Sequence, residues 1–402
     1  MADKPAYQTE MAAVSKNAER VISKAPGYRD AIADCREIVL ANLAMTSEIP
    51  APTFGEKERG RFLMDRFREC GLDHVSQDEA DNCCAVMSGS EGEQTILVAA
   101  HLDTVYSDSV DHSIAVDTES VRGAGVADNS LGVAVLASIP TLLEQLDIKL
   151  KSNVILVGAS RGLGRGNIEG MSFFLDNYDQ SITAGVCVEG VELGRLSYSS
   201  LGMLRGEISC VIDDDDDLQD IGSSGAVGLL SDIINRIARI PLPQKPRTKI
   251  ILGSCKAGKG YNSIARSASL RLEVRSEEVG MVSSIEHELN EIIAEIGSLS
   301  GAKIELETVA GRRPGGIEFG HPLTVGIRKI MDTLEIEPEV EPSISELSAL
   351  IAHNIPGVTL GITKEIDIVD ELTESIEIEP MAAGIAQLIT LLVAIDGGLL
   401  DG

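Results

Sequence analysis

His101 and Asp103 close the apolar run Thr95-Ile-Leu-Val-Ala-Ala, and Asp128 follows within Gly123-Ala-Gly-Val-Ala-Asp128-Asn129-Ser-Leu-Gly132. An imidazole and carboxylates delivered at a strand end and on a rigid turn are what a metal-dependent hydrolase needs. Imidazole nitrogen and carboxylate oxygen both bind zinc-like ions, and one carboxylate can bridge two of them. The apolar residues before His101 put it at the carboxyl end of a strand, the edge where open α/β sheets bind ligands. Asp103 lies two residues on, where side chains return to the same face. There it can hold the imidazole N–H and fix its tautomer. A histidine satisfied within a turn would explain His101 alone; the Asp128 turn nearby favours the metal reading.

The flanking sequence supplies elements that can position these groups. Residues 8–48 read as helix interrupted at Pro26-Gly27, and Glu56 to Cys70 is amphipathic through Phe62, Leu63 and Phe67, with Gly71 as its stop. Strands are expected near 82–88 and 95–100, over Asn153–Val157 and over Ala184–Val188. Helices are expected over Gly132–Leu146 and Met171–Asn177. Strands alternating with helices argue for an α/β layer around a largely parallel sheet. The pattern then changes to strand Arg205–Ile212, helix Ala226–Ala238, strands Lys249–Leu252 and Ser269–Arg275, helix Val279–Ile296 and strand Lys303–Thr308. That β-α-β-β-α-β order is ferredoxin-like. Alternation of helix and strand resumes over 321–396, so residues 201–308 form a small α+β domain inserted into an α/β domain made of 1–200 and 309–402.

Bulk properties narrow the function. The chain has 402 residues, 44% hydrophobic, and a net charge of −29, a surface that repels nucleic acid and anionic membrane. No Trp and 3% aromatics argue against stacking platforms for bases or sugars. Seven scattered Cys, no signal-peptide-like start and no apolar run of membrane-spanning length point to a cytoplasmic protein with reduced thiols. Cys83-Cys84 in a strand would face opposite ways and read as packing. The Asp213–Asp217 run lacks the spacing and glycine of a calcium loop and reads as a solvated loop.

With these residues in place, the chain resembles the dizinc exopeptidases and deacylases, which include aminoacylase, acetylornithine deacetylase, succinyl-diaminopimelate desuccinylase and peptidase T. The resemblance spans roughly residues 35 to 395. It rests on the His-x-Asp strand end and the Gly-x-Gly-x-x-Asp-Asn turn. Supporting matches are Asn82, Glu189-Gly190, Asn262-Ser-Ile264, Arg275, His321-Pro-Leu and Asn354-Ile-Pro356-Gly-Val-Thr-Leu-Gly361. It implies a zinc-exopeptidase-like mixed sheet flanked by helices, with the inserted domain acting as lid and dimerisation unit of a homodimer. His101 would bind one metal, Asp128 bridge both, and Glu189 complete one side, with a cis peptide at Asp128-Asn129. Asn262 and Arg275 would reach the substrate's carboxylate or backbone. The implied substrate is a small peptide or N-acyl amino acid, and the implied metal is zinc or manganese.

The departures are as informative. Where the family carries a Glu-Glu pair, its first member the general base and its second a ligand, this chain has Ser160 and Arg161 before Gly162-Leu-Gly164. A serine hydroxyl is a poor proton acceptor near neutral pH, and a guanidinium has donors only. At about 5 Å from a divalent ion it would be repelled by several kcal/mol at an effective dielectric near 20. The late metal-binding His aligns with Asp370, ahead of Glu374, and the oxyanion-binding His of the inserted domain falls near Asp216. Glu169 starts the next helix rather than replacing the lost ligand, and Glu346 stands where the family has an Asp. Two functional readings follow, beside a third in which the cleft is a relic that binds no ligand. In the first, favoured by the substitutions, di-metal hydrolysis is impaired or lost. Arg161 then pairs with Asp128, Glu189 or Asp370, no metal is bound, and a small carboxylate ligand binds through Asn262 and Arg275. In the alternative, an active metal-dependent peptidase or deacylase keeps His101, Asp128 and Glu189, with Asp370 as a substitute oxygen ligand.

Overall fold

In this computed structural model residues 15–212, 225–366 and 373–401 are described. The chain divides into two units, residues 1–199 with 316–402, and residues 200–315.

In chain order the first unit contributes β1 (Asp73–Gln77), β2 (Cys83–Met87), β3 (Thr95–His101), β4 (Asn153–Ala159), β5 (Ala184–Glu189) and β6 (Arg195–Ser197). The second unit supplies β7 (Gly202–Val211), β8 (Thr248–Ala257), β9 (Ser267–Ser276) and β10 (Lys303–Arg312). The first unit then resumes with β11 (Glu339–Val340) and β12 (Gly357–Gly361). Its sheet runs β1-β2-β4-β3-β5-β12-β6-β11. The central strands β4, β3, β5 and β12 are parallel, whereas β2 joins β4 antiparallel. All seven residues of β3 are buried, as expected of a strand covered on both faces. Register aligns His101 with Ala159 and Gly361 with Glu189, so the ends of β3, β4, β5 and β12 form one carboxyl edge.

Two helices do much of the covering. Leu131–Gln145 and Met381–Asp396 bury Leu and Ile side chains along most of their length against the sheet's main core, each such side chain contributing about 1.5–3 kcal/mol. Residues 126–145 are long and apolar enough to cross a membrane, contrary to the expectation that no run was, yet 83% of the stretch is buried inside the protein. It is a core helix. On the sheet's other face the helices Glu169–Asp176 and Leu347–Ala352 close a smaller core. A separate three-stranded sheet of Ala115–Val116, Ser120–Gly123 and Glu374–Glu377 pairs Glu374 with Gly123, just ahead of the Asp128 turn.

The second unit has its own core and the strand order β8-β9-β7-β10 expected of a ferredoxin-like fold, all pairs antiparallel. Its strands are each ten residues long. β8 was legible only over Lys249–Leu252 because its register shifts between Leu252 and Ser254 and this edge strand is mostly exposed, which breaks the alternation.

The N-terminal helical stretch also differs from the reading. It forms three helices, Lys16–Ile22, Ala25–Asp34 and Glu37–Ser47, and Pro26 lies in the first turn of the second. Proline has no N–H to lose there, so it starts that helix instead of interrupting one. Residues 8–14 of the expected helix lie outside the described residues, as do the Asp213–Asp217 run with Asp216, and Asp370. Cys83 is buried and Cys84 half-buried, and neither forms a disulfide.

Candidate metal centre

Strand β3 carries His101 to the sheet edge, where its ring is 3% exposed. Nδ1 lies 2.9 Å from the Asp103 backbone carbonyl and 3.3 Å from Asp103 Oδ1. A carbonyl can only accept, so Nδ1 carries a proton, and Nε2, which faces Asp128 and Glu189, is the nitrogen that could bind metal once its own proton is displaced. The expected Asp103 contact is therefore made first through its backbone. Its carboxylate is engaged elsewhere, accepting the Thr53 hydroxyl at 2.7 Å and the amides of Gly162 at 3.0 Å and Leu163 at 2.8 Å. Asp103 thus fixes the turn after β4 against the turn after β3.

Asp128 reaches the site from the irregular turn 126–130, where the Asp128–Asn129 peptide is cis. Asn129 clamps this turn to the end of β5. Its Nδ2 donates to Val188 O at 2.8 Å, and its Oδ1 accepts the Gly190 amide at 2.8 Å. The approach is close enough that a Cβ on Gly190 would fall 2.2 Å from Ala127 O. Glu374 secures the other side by accepting the amides of Ala127 at 2.8 Å and Asp128 at 3.2 Å. Burial pushes the Glu374 carboxyl up to about 7, against the pull of those two amides.

The result is a convergent triad. His101 Nε2 lies 2.9 Å from Asp128 Oδ1 and 3.7 Å from Glu189 Oε2. One ligating atom from each of the three residues lies within 4.8 Å of the other two. Ser345 orients Glu189 by donating its hydroxyl to Oε1 at 3.1 Å. Burial disfavours the charged imidazole, but the Asp103, Asp128 and Glu189 carboxylates outweigh it and hold His101 well above its usual pKa. Burial likewise opposes the Asp128 carboxylate, and the His101 contact more than offsets it, leaving Asp128 below the usual range. An imidazole and two carboxylates that meet at one point are a donor set for one divalent cation, and they fit it.

Ser160 and Arg161 leave this space. Ser160 is fully buried and turns toward the second strand, its hydroxyl donating to Ala80 O at 2.5 Å and lying 3.3 Å from Asn82 Oδ1. Arg161 does not pair with Asp128 or Glu189, as the metal-free reading expected. Its Nη1 meets Glu169 Oε1 at 2.9 Å, and its guanidinium lies 5.9 Å from the Phe54 ring. The backbone explains the direction. Arg161 has φ +53°, and its amide is held by Glu56 Oε1 at 2.8 Å, so the side chain leaves the turn on the helix side. Glu169 does begin the next helix. Asp370 and Asp216 lie outside the described residues.

Asn262 and Arg275 belong to the second unit. Asn262 is exposed. Arg275 donates Nε to Glu273, which also takes both Nε and Nη2 of Arg205, at 2.8 and 2.6 Å. His321 caps the helix Pro322–Thr333 by accepting the Leu323 amide.

Several supporting residues had no sequence signal. Arg59 is fully buried, donating to Ile49 O and Leu102 O, and burial pushes its pKa down to about 10 although Asp103 and Glu56 oppose the shift. Thr53, Glu56 and Ser345 also act through contacts distant in sequence. Asn129 and Glu374 stood inside recognised motifs, but their clamping roles did not show.

Residues 82–160 match Peptidase family M28. No curated protein matches the chain. Among solved structures, the aminopeptidase PepT from Bacillus cereus superposes with a TM-score of 0.69 at 15% identity, covering 89% of this chain and 98% of that one. The dipeptidase Dug1p from Saccharomyces cerevisiae gives 0.74 at 12% identity, with coverages of 93% and 99%. A dinuclear metal-binding peptidase of the M20 family from Bacillus subtilis gives 0.62 at 15% identity, with coverages of 89% and 97%. Such low identities speak for fold, and over nearly the full length of these chains they speak together. The chain has the fold of the dizinc exopeptidases and deacylases, the family its motifs resemble.

Proposed function

We propose that this protein hydrolyses amide bonds in small peptides or N-acyl amino acids with a single divalent metal ion held by His101, Asp128 and Glu189. The observation that carries the reading is the convergence of those three donors within 4.8 Å, with Arg161 turned away to Glu169. Three protein ligands leave a coordination position for water or substrate, the pattern of catalytic rather than structural sites. Among the described residues no second group of this kind is present, and Ser160 and Arg161 supply no ligand for a second ion.

One imidazole and two carboxylates suit zinc, and the oxygen-rich set also suits manganese. When bound, the ion polarises the scissile carbonyl and the attacking water. The chain's own residues do the rest. Asp103 O fixes the His101 tautomer, Asn129 and Glu374 hold the Asp128 turn, and Ser345 holds Glu189. Asn262 and Arg275 are the proposed binders of the substrate's carboxylate or backbone. The inserted unit is the proposed lid and dimer contact of a homodimer. PepT is an aminopeptidase and Dug1p a dipeptidase, which sets the first substrates to try.

The sealed hydroxyl of Ser160 favours a second reading, a non-catalytic relative that binds a small carboxylate. The two separate by assay. Free dipeptides, tripeptides and N-acetyl amino acids are incubated with protein loaded with zinc or manganese, and with chelator-treated protein. Metal-dependent cleavage that His101→Ala abolishes supports the hydrolase. Metal uptake without cleavage of any of them supports the binding protein.

A further inference from the structure

Amide hydrolysis needs a proton acceptor, and the position expected to supply one holds Ser160, whose hydroxyl is bonded to Ala80 and Asn82. The carboxylates around the triad differ in what already occupies them. Asp103 holds the Gly162 and Leu163 amides and the Thr53 hydroxyl. Glu374 holds the amides of Ala127 and Asp128, and Glu56 those of Phe54 and Arg161.

Glu346 stands apart. It is 3% exposed, and among the described residues its own backbone amide is the donor that acts most on its carboxylate. A Cβ on Gly162 would sit 3.0 Å from Glu346 Oε1, 3.0 Å from His101 Cβ and 2.9 Å from Asp103 Oδ1. Glycine at 162 is thus what lets this carboxylate approach the turn beside His101. The preceding residue, Ser345, bonds Glu189, so the Ser345-Glu346 pair flanks two of the three metal-binding side chains. A buried carboxylate with so few donors is costly unless it has work or a counter-charge.

We infer that Glu346 is the proton acceptor of this site. The inference rests on the hydrolase reading above. A water O–H bond breaks as its oxygen bonds the amide carbonyl carbon. The proton passes to a Glu346 oxygen and from there to the amide nitrogen as the C–N bond breaks, with no further reactant. Among the described residues the charged groups that act most on Glu346 are His101, Glu189 and Asp103. Burial raises its carboxyl above the ordinary value, with His101 opposing and Glu189 adding to the shift.

The test compares the parent with Glu346→Gln and Glu346→Asp, by native mass spectrometry for bound zinc and by steady-state kinetics on the best peptide or N-acetyl amino acid found. The expected result is one zinc ion retained in both variants. In Glu346→Gln, kcat falls about 100- to 10,000-fold with KM within about threefold. Glu346→Asp keeps the charge but is shorter, and retains more activity than the glutamine variant; it also serves if Glu346→Gln does not fold. An unchanged kcat in Glu346→Gln overturns the inference, and so does activity lost in step with zinc. A parent that binds zinc and cleaves nothing overturns the hydrolase reading and the acceptor role together, an outcome distinct from an active parent matched by its glutamine variant.

Discussion

Removing the Asp103 carboxylate, as in Asp103→Ala, strikes the support of the site without touching a proposed ligand. Asp103 is fully buried. Its loss strips the Gly162 and Leu163 amides and the Thr53 hydroxyl of their acceptor. Each stranded donor costs about 1–3 kcal/mol, less where water can enter. The buried Arg59 also loses one of the two carboxylates that oppose its desolvation. Together these give a destabilisation of about 3–5 kcal/mol, a large share of the roughly 5–15 kcal/mol typical of a folded domain. Because the same carboxylate lies 3.3 Å from His101 Nδ1, the affinity for zinc should also fall, by about 10- to 100-fold. Urea unfolding of chelator-treated protein measures the first effect and a zinc competition titration the second. A loss of stability under about 1 kcal/mol, with zinc affinity unchanged, would refute the assignment of Asp103 as the joint between the two turns.

Other substitutions probe the rest of the site. Arg161→Ala should leave zinc affinity within about threefold and cost at most about 1 kcal/mol in urea unfolding, because its ion pair with Glu169 is partly exposed. In chelator-treated protein the raised pKa of His101 adds stability that is fully present below its unfolded value of 6.5. That stability is lost as pH rises through the higher folded value, and thermal melts across pH should show the loss in the parent and not in His101→Ala. Zinc affinity should move the opposite way, weakening as pH falls and His101 Nε2 takes a proton. Glu374 has a folded pKa of about 7 against an ordinary 4.5, so its ionisation costs stability increasingly from pH 4.5 to 7 and fully above. Glu374→Gln, which keeps an acceptor for the two amides, should therefore raise the stability of chelator-treated protein at pH 8 by about 1–3 kcal/mol, with no gain at pH 4.

The sequence carried the strands best where both faces are buried. Thr95–His101 and Ala184–Glu189 are continuous apolar runs bounded by polar residues, and both proved to be central strands. The β8 edge strand was mostly missed because its exposed side chains and register shift remove the period-two signal. Pro26 misled because a proline that starts a helix and one that ends a helix look alike without the backbone. Among site residues, the convergence of His101, Asp128 and Glu189 was legible because each combines an informative residue type with a strand end or a glycine-bordered turn. The direction of Arg161 was not, since it depends on a left-handed backbone and on Glu56, 105 positions away in the chain. Arg59, Thr53 and Ser345 were silent for the same reason. Their roles arise from partners that only the fold brings near.

The account turns on how many metal ions the chain holds. Elemental analysis of protein purified without chelator, repeated after incubation with zinc and with manganese, measures it directly. One divalent ion per chain, lost in His101→Ala and retained in Arg161→Ala, is the predicted result. Two ions per chain, or none after either incubation, would contradict the single-metal centre.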